Sequence, residues 1–274
     1  MVRHVHAFAL FGLIGCQQGA TVPADAGPPD AWTCATTLYG RPGTTTGLGD
    51  DQCGPSCGCG DEAWGEQPWT ATRIAALRQW TQLDPPPSLT SDPYDLPAPT
   101  PVPGEVCGMV VDDLATHTYR VQTFADATAA TAAGAIVTHA DACGVCSSLT
   151  DLAVYAETLD LTTPVRQCGL DAGSDLEANT VCLEALGFTR PCAEVWAFNT
   201  RHTRSECLAD CIALLGEPYH EPDGDLNACL LCDEVQSGPV FKAVAGRTRR
   251  NTGVASALCR PCNDVQRLDH AYPN

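Results

Sequence analysis

Cys143 and Cys146 stand two residues apart in HADACGVCSSLTDLAVY. The run Ala135 to Thr138 before them reads as a buried strand. An amphipathic helix is expected to begin at the cysteines, with Leu149, Leu152, Ala153 and Ala156 on one face. A thiol at a helix N-terminus is stabilised as thiolate by the terminal N–H groups and the helix dipole. Cys143 would then attack a disulfide and Cys146 would resolve the mixed species. Metal chemistry is a second option. His139, Cys143 and Cys146 gather an imidazole and two thiolates, and Cys229-x2-Cys232 and Cys259-x2-Cys262 have zinc-knuckle spacing. In an oxidising compartment those same sulfurs form disulfides instead. Asp223, Asp225 and Asn227 could line a calcium loop, but the full loop spacing and its distal Glu are missing, and Asp225 or Asp223 reads better as a helix cap.

A third chemistry is anion binding. Between Gly238 and Arg267 lie Lys242, Arg247, Arg249, Arg250, Arg260 and Arg267 against Asp264 alone, with Arg190, Arg201 and Arg204 upstream. Guanidinium groups grip carboxylates and phosphates through two parallel N–H donors. Arg247, Arg249 and Arg250 are the expected contacts for an anionic small molecule or glycan, and ion pairs with the chain's own acids are the alternative. No metal site and no cofactor is assigned, and no G-x-S-x-G, P-loop or dinucleotide fingerprint occurs.

The strand–CxxC–helix order resembles the thioredoxin-like active site, which would make the chain a thiol-disulfide oxidoreductase. The resemblance spans residues 134 to 160. No Trp precedes Cys143, Gly144-Val145 replaces the usual Gly-Pro, and Pro239 is the nearest substitute for the later cis-proline. Ordinary disulfide staples are the preferred reading of the pair.

The elements that must position these groups follow from the rest of the chain. Its 274 residues include 33 Asp+Glu and 15 Lys+Arg, for a formal charge of -18. That balance excludes a general nucleic-acid binder. The N-terminus carries Arg3, His4 and His6, then an apolar run Ala7 to Ile14, too short to span a bilayer. Leu13-Ile14-Gly15-Cys16 resembles the bacterial lipobox. That resemblance implies a signal peptide over 1–15 and a lipid on Cys16 that anchors the chain to the membrane. Gln17, in place of an Asp, favours the outer membrane. Residues 16–31 read as a flexible tether.

Sixteen cysteines remain, four before a Pro-rich stretch at 84–105 and twelve after it, so each side could close its own bridges. The sequence therefore divides into a small Gly/Cys/Trp-rich module over 32–83, the 84–105 linker and a cysteine-rich domain over 106–274. The module holds Trp32, Trp64, Trp69 and Trp80, read as a small core rather than a ligand platform. The fold class expected is mainly α with a small β-containing segment, rich in disulfides. A hairpin is expected from VCGMVV and TYRVQTF, and helices from ATRIAALRQW, ADATAATAAG, DLEANTVCLEALGF, PCAEVWAFNTRHT, SECLADCIALLG and DLNACLLCDEVQ, with a last one near Pro261. Cys207 and Cys211 share a helix face and should each bridge to another element. CGVCSSLTDLAVY, LTTPVRQCGL and GFTRPCAEVWAFNTRHTR are similar to text in uncharacterised exported cysteine-rich proteins, a resemblance that implies no activity. The function expected is that of an exported, lipid-anchored binding or structural protein of the envelope, not an enzyme. Its alternatives are the oxidoreductase and a metal-binding protein.

Overall fold

The computed structural model describes residues 38–59 and 62–273, without the side chains of Cys59 and Glu62. The expected signal peptide, Cys16, the tether, Trp32 and Cys34 lie outside the described residues. Short strands come first: β1 (Leu38–Tyr39), β2 (Cys53–Gly54) and the hairpin β3 (Ser56–Cys59) with β4 (Glu62–Gly65). Helix α1 (Ala71–Leu77) begins where the Thr70 side chain accepts from Arg73 N, and β5 (Thr81–Gln82) follows. The expected hairpin is β6 (Val106–Asp113) with β7 (Thr118–Phe124). Asp126 caps α2 (Ala127–Ala132), and β8 (Ile136–Ala140) pairs with the free side of β6. The resulting sheet has the order β5-β7-β6-β8, with β5 parallel to β7 and the other pairs antiparallel.

Helices dominate the remainder: α3 (Leu149–Glu157), α4 (Thr162–Ala172), α5 (Leu176–Ala185), α6 (Arg190–Ala213), α7 (Ala228–Gln236), α8 (Gly238–Ala245) and the single turn α9 (Arg249–Thr252). The architecture is thus mixed α/β rather than mainly α, because three small sheets accompany the helices. The two helices expected at Pro191 and Ser205 are one helix of 24 residues. Nothing between them is a Gly or Pro, and Ser205 lies mid-helix, where its capping preference is overridden. Near Pro261 only a 3-10 turn (Cys262–Asp264) forms, preceded by β9 (Arg260–Pro261).

The small module does not close on itself. Strand β9 pairs antiparallel with β1, and Cys53–Cys259 and Cys57–Cys262 join residues more than 200 positions apart. Ile74, Leu77 and Trp80 pack with Met109, Tyr119, Leu149, Leu152 and Val254 in one shared cluster. Trp80 meets Tyr119 edge-on at 6.2 Å. The tryptophan therefore supplies core, as expected, but to the whole fold. Even cysteine counts on each side of the linker do not force pairing within each side. Five more bridges are Cys107–Cys143, Cys146–Cys192, Cys168–Cys182, Cys207–Cys232 and Cys211–Cys229. The last two staple α6 to α7, as the shared face of Cys207 and Cys211 required. The Pro-rich stretch is extended but docked on α6. Leu89 N donates to Glu194 Oε2 (2.6 Å), Asp92 pairs with Arg201, and Tyr94 stacks on His202 at 4.1 Å.

Candidate functional site

Cys143 and Cys146 are not partners. Cys143 is bonded to Cys107 on β6 and Cys146 to Cys192 on α6, so no dithiol can cycle between them. Nor do they begin a helix. Ser148 caps α3 by accepting from Asp151 N, which places the cysteines in the preceding turns, beyond the helix-terminal N–H groups that would stabilise a thiolate. Gly144 has another reason to be there. A Cβ on it would lie 2.3 Å from Val244 O and 2.5 Å from Gly246 N. The two backbones touch, with Val145 N donating to Val244 O and Cys146 N to Ala245 O. This geometry is not that of a thioredoxin-like active site.

The metal readings fail for related reasons. Cys229, Cys232, Cys259 and Cys262 pair with four different distant cysteines. Among the described residues no group of three metal-ligating side chains is found. His139 is sealed. Its Nδ1 contacts Ala140 O and its Nε2 lies 2.7 Å from Ser147 Oγ. That is the geometry of a base and nucleophile, yet both side chains are buried and Ser147 Oγ also accepts from Gly144 N. Burial holds His139 well below the ordinary histidine range. A helix cap does stand where Asp223 or Asp225 was expected to supply it, but Asn227 is the residue that caps α7, by accepting from Leu230 N.

The three predicted anion contacts part company. Arg247 is 0% exposed. Its guanidinium donates to Cys146 O (3.1 Å), Thr138 O (3.0 Å) and Ser147 O (3.1 Å), tying β8, the α3 approach and the end of α8 together. Its donors are spent on main-chain carbonyls, so Arg247 is a structural residue and not an anion contact. Arg250 donates to Glu234 Oε2 at 2.7 Å, where Arg260 and Lys242 also converge. Burial alone would raise Glu234, but those three cations together hold it below the usual carboxylate range. Arg249 differs. It donates to Ala255 O (2.8 Å) and Thr158 O, and among the described residues no carboxylate lies within ion-pair distance of it. The capping box of Thr248 and Asn251 fixes the turn that carries it.

Arg249 and Arg250 both line a cleft of about 290 Å³ walled by α4, α6, α7, α8 and the 248–260 segment. Its floor is apolar and buried: Leu161, Val165, Phe241 and Val254. Its rim carries Leu170, Leu208, Ile212 and Leu215, all exposed. The lining bases are Arg166, Arg204, Lys242, Arg249, Arg250 and Arg260, and the lining acids are Asp160, Asp233 and Glu234. The cleft therefore has a positive excess inside a strongly acidic chain.

Two residues that the sequence reading did not single out complete the floor. Tyr155 on α3 is 3% exposed, and its hydroxyl has no hydrogen-bond partner. The Trp196 indole N–H on α6 is also buried and unpartnered. The Trp196 indole lies next to the Tyr155 hydroxyl, yet within hydrogen-bond distance and angle neither polar atom has a partner. Each buried polar group left so costs about 1–3 kcal/mol. Arg249 sits 5.6 Å from the Tyr155 ring centroid, and burial pulls its pKa down to about 10. One signal in the sequence could have pointed here. Leu208 and Ile212 repeat at helical spacing and, with Leu215, extend an apolar stripe beside the face of Cys207 and Cys211.

Residues 176–268 are similar to a family of unknown function, DUF8771, a match that takes in α5 to α9 and less than half of the chain. No curated protein and no solved structure matches the chain.

Proposed function

We propose that this chain is an exported, lipid-anchored binding protein of the cell envelope, a holder rather than a converter of its ligand: a small anionic molecule in the cleft beside α4 and α6. The observation that carries this reading is the charge of the cleft. Six bases against three acids line a largely apolar hollow, in a chain of net charge -18. An anion is attracted there and repelled by most of the remaining surface. Seven disulfides among the described residues support an oxidising compartment and hence export. No histidine lines the cleft, and its two cysteines, Cys211 and Cys229, are bonded to each other. Both facts favour binding over acid–base or thiol chemistry.

The test uses 8-anilinonaphthalene-1-sulfonate, an apolar anion that fluoresces when bound. Saturable binding of one dye per chain is expected. Leu208 and Ile212 are 48% and 58% exposed, so Leu208→Glu/Ile212→Glu should leave the melting temperature unchanged. Those two new charges at the mouth should weaken the dye about tenfold or more. Equal affinity in the variant, or tighter binding of the neutral dye Nile red, would count against the cleft. For the anchor, Cys16→Ser should move the protein from the membrane fraction to the soluble one, and unchanged membrane retention would remove it from the proposal.

A further inference from the structure

The geometry points to a single-chain carboxylic acid as the ligand, held carboxylate-inward on Arg249, Tyr155 and Trp196, with its hydrocarbon leaving between Leu208 and Ile212. This rests on the reading of the cleft as an anion site and names the class of anion.

The first argument counts donors. An indole N–H only donates, whereas a phenol both donates and accepts. If Trp196 turned to give its proton to the Tyr155 oxygen, the Tyr155 proton would still have no taker. The floor therefore lacks at least one acceptor, and a ligand oxygen would supply it. The second argument is the cation. Arg250, Arg260 and Lys242 share Glu234, whereas Arg249, like Arg204, has only backbone carbonyls. Arg249 is also the base that lies against the Tyr155 ring, on the same floor as the unpartnered donors. One guanidinium and two single donors suit the two oxygens of a monoanion. A dianion such as a phosphate monoester would meet Asp160, which also lines the cleft and acts electrostatically on Arg249.

The third argument is the path outward. Phe241, Leu161 and Val165 join Tyr155 in the lining, and Leu170, Leu208, Ile212 and Leu215 carry apolar side chains to its exposed edge. A hydrocarbon chain would cover those rim leucines, which otherwise face water. The volume, about 290 Å³, lies near the lower end for small-molecule sites, so one short or medium chain fits and a two-chain lipid does not.

Isothermal titration calorimetry of the mature, disulfide-intact protein, stripped of co-purified lipid, tests this with octanoate, 1-octanol and benzoate. Octanoate should bind one per chain. The alcohol, which lacks the charge, and benzoate, which lacks the chain, should each bind about tenfold more weakly or worse. Arg249→Ala removes two carbonyl contacts and could unfold the turn, so the deciding variants are Tyr155→Phe and Trp196→Phe. Each deletes a polar group that has no partner in the free protein. Affinity for octanoate should fall about fivefold or more in each; the melting temperature should hold or rise in Tyr155→Phe, which keeps the ring, and fall in Trp196→Phe, which gives up ring volume against Phe188 and Phe241. Octanoate binding no tighter than octanol, or both variants binding like the parent, would overturn the assignment. If the anionic dye still binds and responds to the rim charges, that failure falls on the carboxylic acid alone. If the dye fails as well, the cleft reading falls with it.

Discussion

Arg247→Met lowers unfolding free energy by about 4 kcal/mol or more, read from denaturant midpoints at neutral pH. The arginine is wholly buried and serves three main-chain carbonyls, Thr138 O, Cys146 O and Ser147 O. Methionine replaces much of its volume but none of its donors. A buried ionic group can often be exchanged for apolar side chains at no loss, provided both partners go together. Here the partners are backbone and cannot go. Three carbonyls lose a charged donor, each at about 1–3 kcal/mol. Lysine at the same position should fall between the two, because one ammonium cannot reproduce the planar fork that reaches three oxygens. The result also separates two views of this residue. An arginine kept for a surface anion would change stability by less than about 0.5 kcal/mol when replaced.

The second large effect lies in the paired clasp between the N-terminal strands and the C-terminal segment. Removing Cys53–Cys259 alone, as Cys53→Ala/Cys259→Ala, is expected to cost about 2–3 kcal/mol. Removing Cys57–Cys262 as well should bring the total to about 7–8 kcal/mol, far more than twice the single loss. The reason is loop length. Either bridge by itself closes a span of about 200 residues, which chain entropy values at about 5 kcal/mol. While one remains, the other closes only the few residues between them, at about half that value. Guanidinium unfolding of the single and combined variants gives the comparison. Equal and additive losses would mean that the two bridges act independently and that the denatured chain, not loop closure, sets their worth.

Much of the local structure was legible because it depends on neighbours in sequence. The β6–β7 hairpin, the Ala-rich α2, the strand before Cys143 and Pro191 in the first turn of α6 all stand where alternation, propensity and capping put them. The shared face of Cys207 and Cys211 foretold two bridges to another element, since helical spacing is itself a short-range fact. What spacing could not convey was which element would arrive opposite. Cys143 and Cys146 look like a dithiol in one dimension. In three, β6 and α6 approach from different sides and take one sulfur each. Gly144, which looked like part of a redox motif, is required by a backbone crossing from residues a hundred positions away.

The arginine cluster failed in an instructive way. Composition located a basic segment correctly, but burial sorted its members into a core tie, an ion-paired group along the cleft and one cleft cation, Arg249, held by backbone carbonyls. Tyr155 and Trp196 were invisible for the same reason. Each reads as a core aromatic on its own helix, and only the meeting of α3 and α6 leaves their polar atoms without partners.

The long clasp has a consequence for how the molecule comes into being. A polypeptide is made from its N-terminus at about 5–20 residues per second. Cys53 and Cys57 are therefore synthesised some 10 to 40 s before Cys259 and Cys262 exist. Partners such as Cys168 and Cys182, 14 apart, are ready for each other almost at once. The opening segment must wait, its thiols unspent, through the production of nearly everything that follows. Until residues 260 and 261 are made, β1 has no β9 to pair with. A chain cut short by a late stop codon would thus forfeit its beginning along with its end.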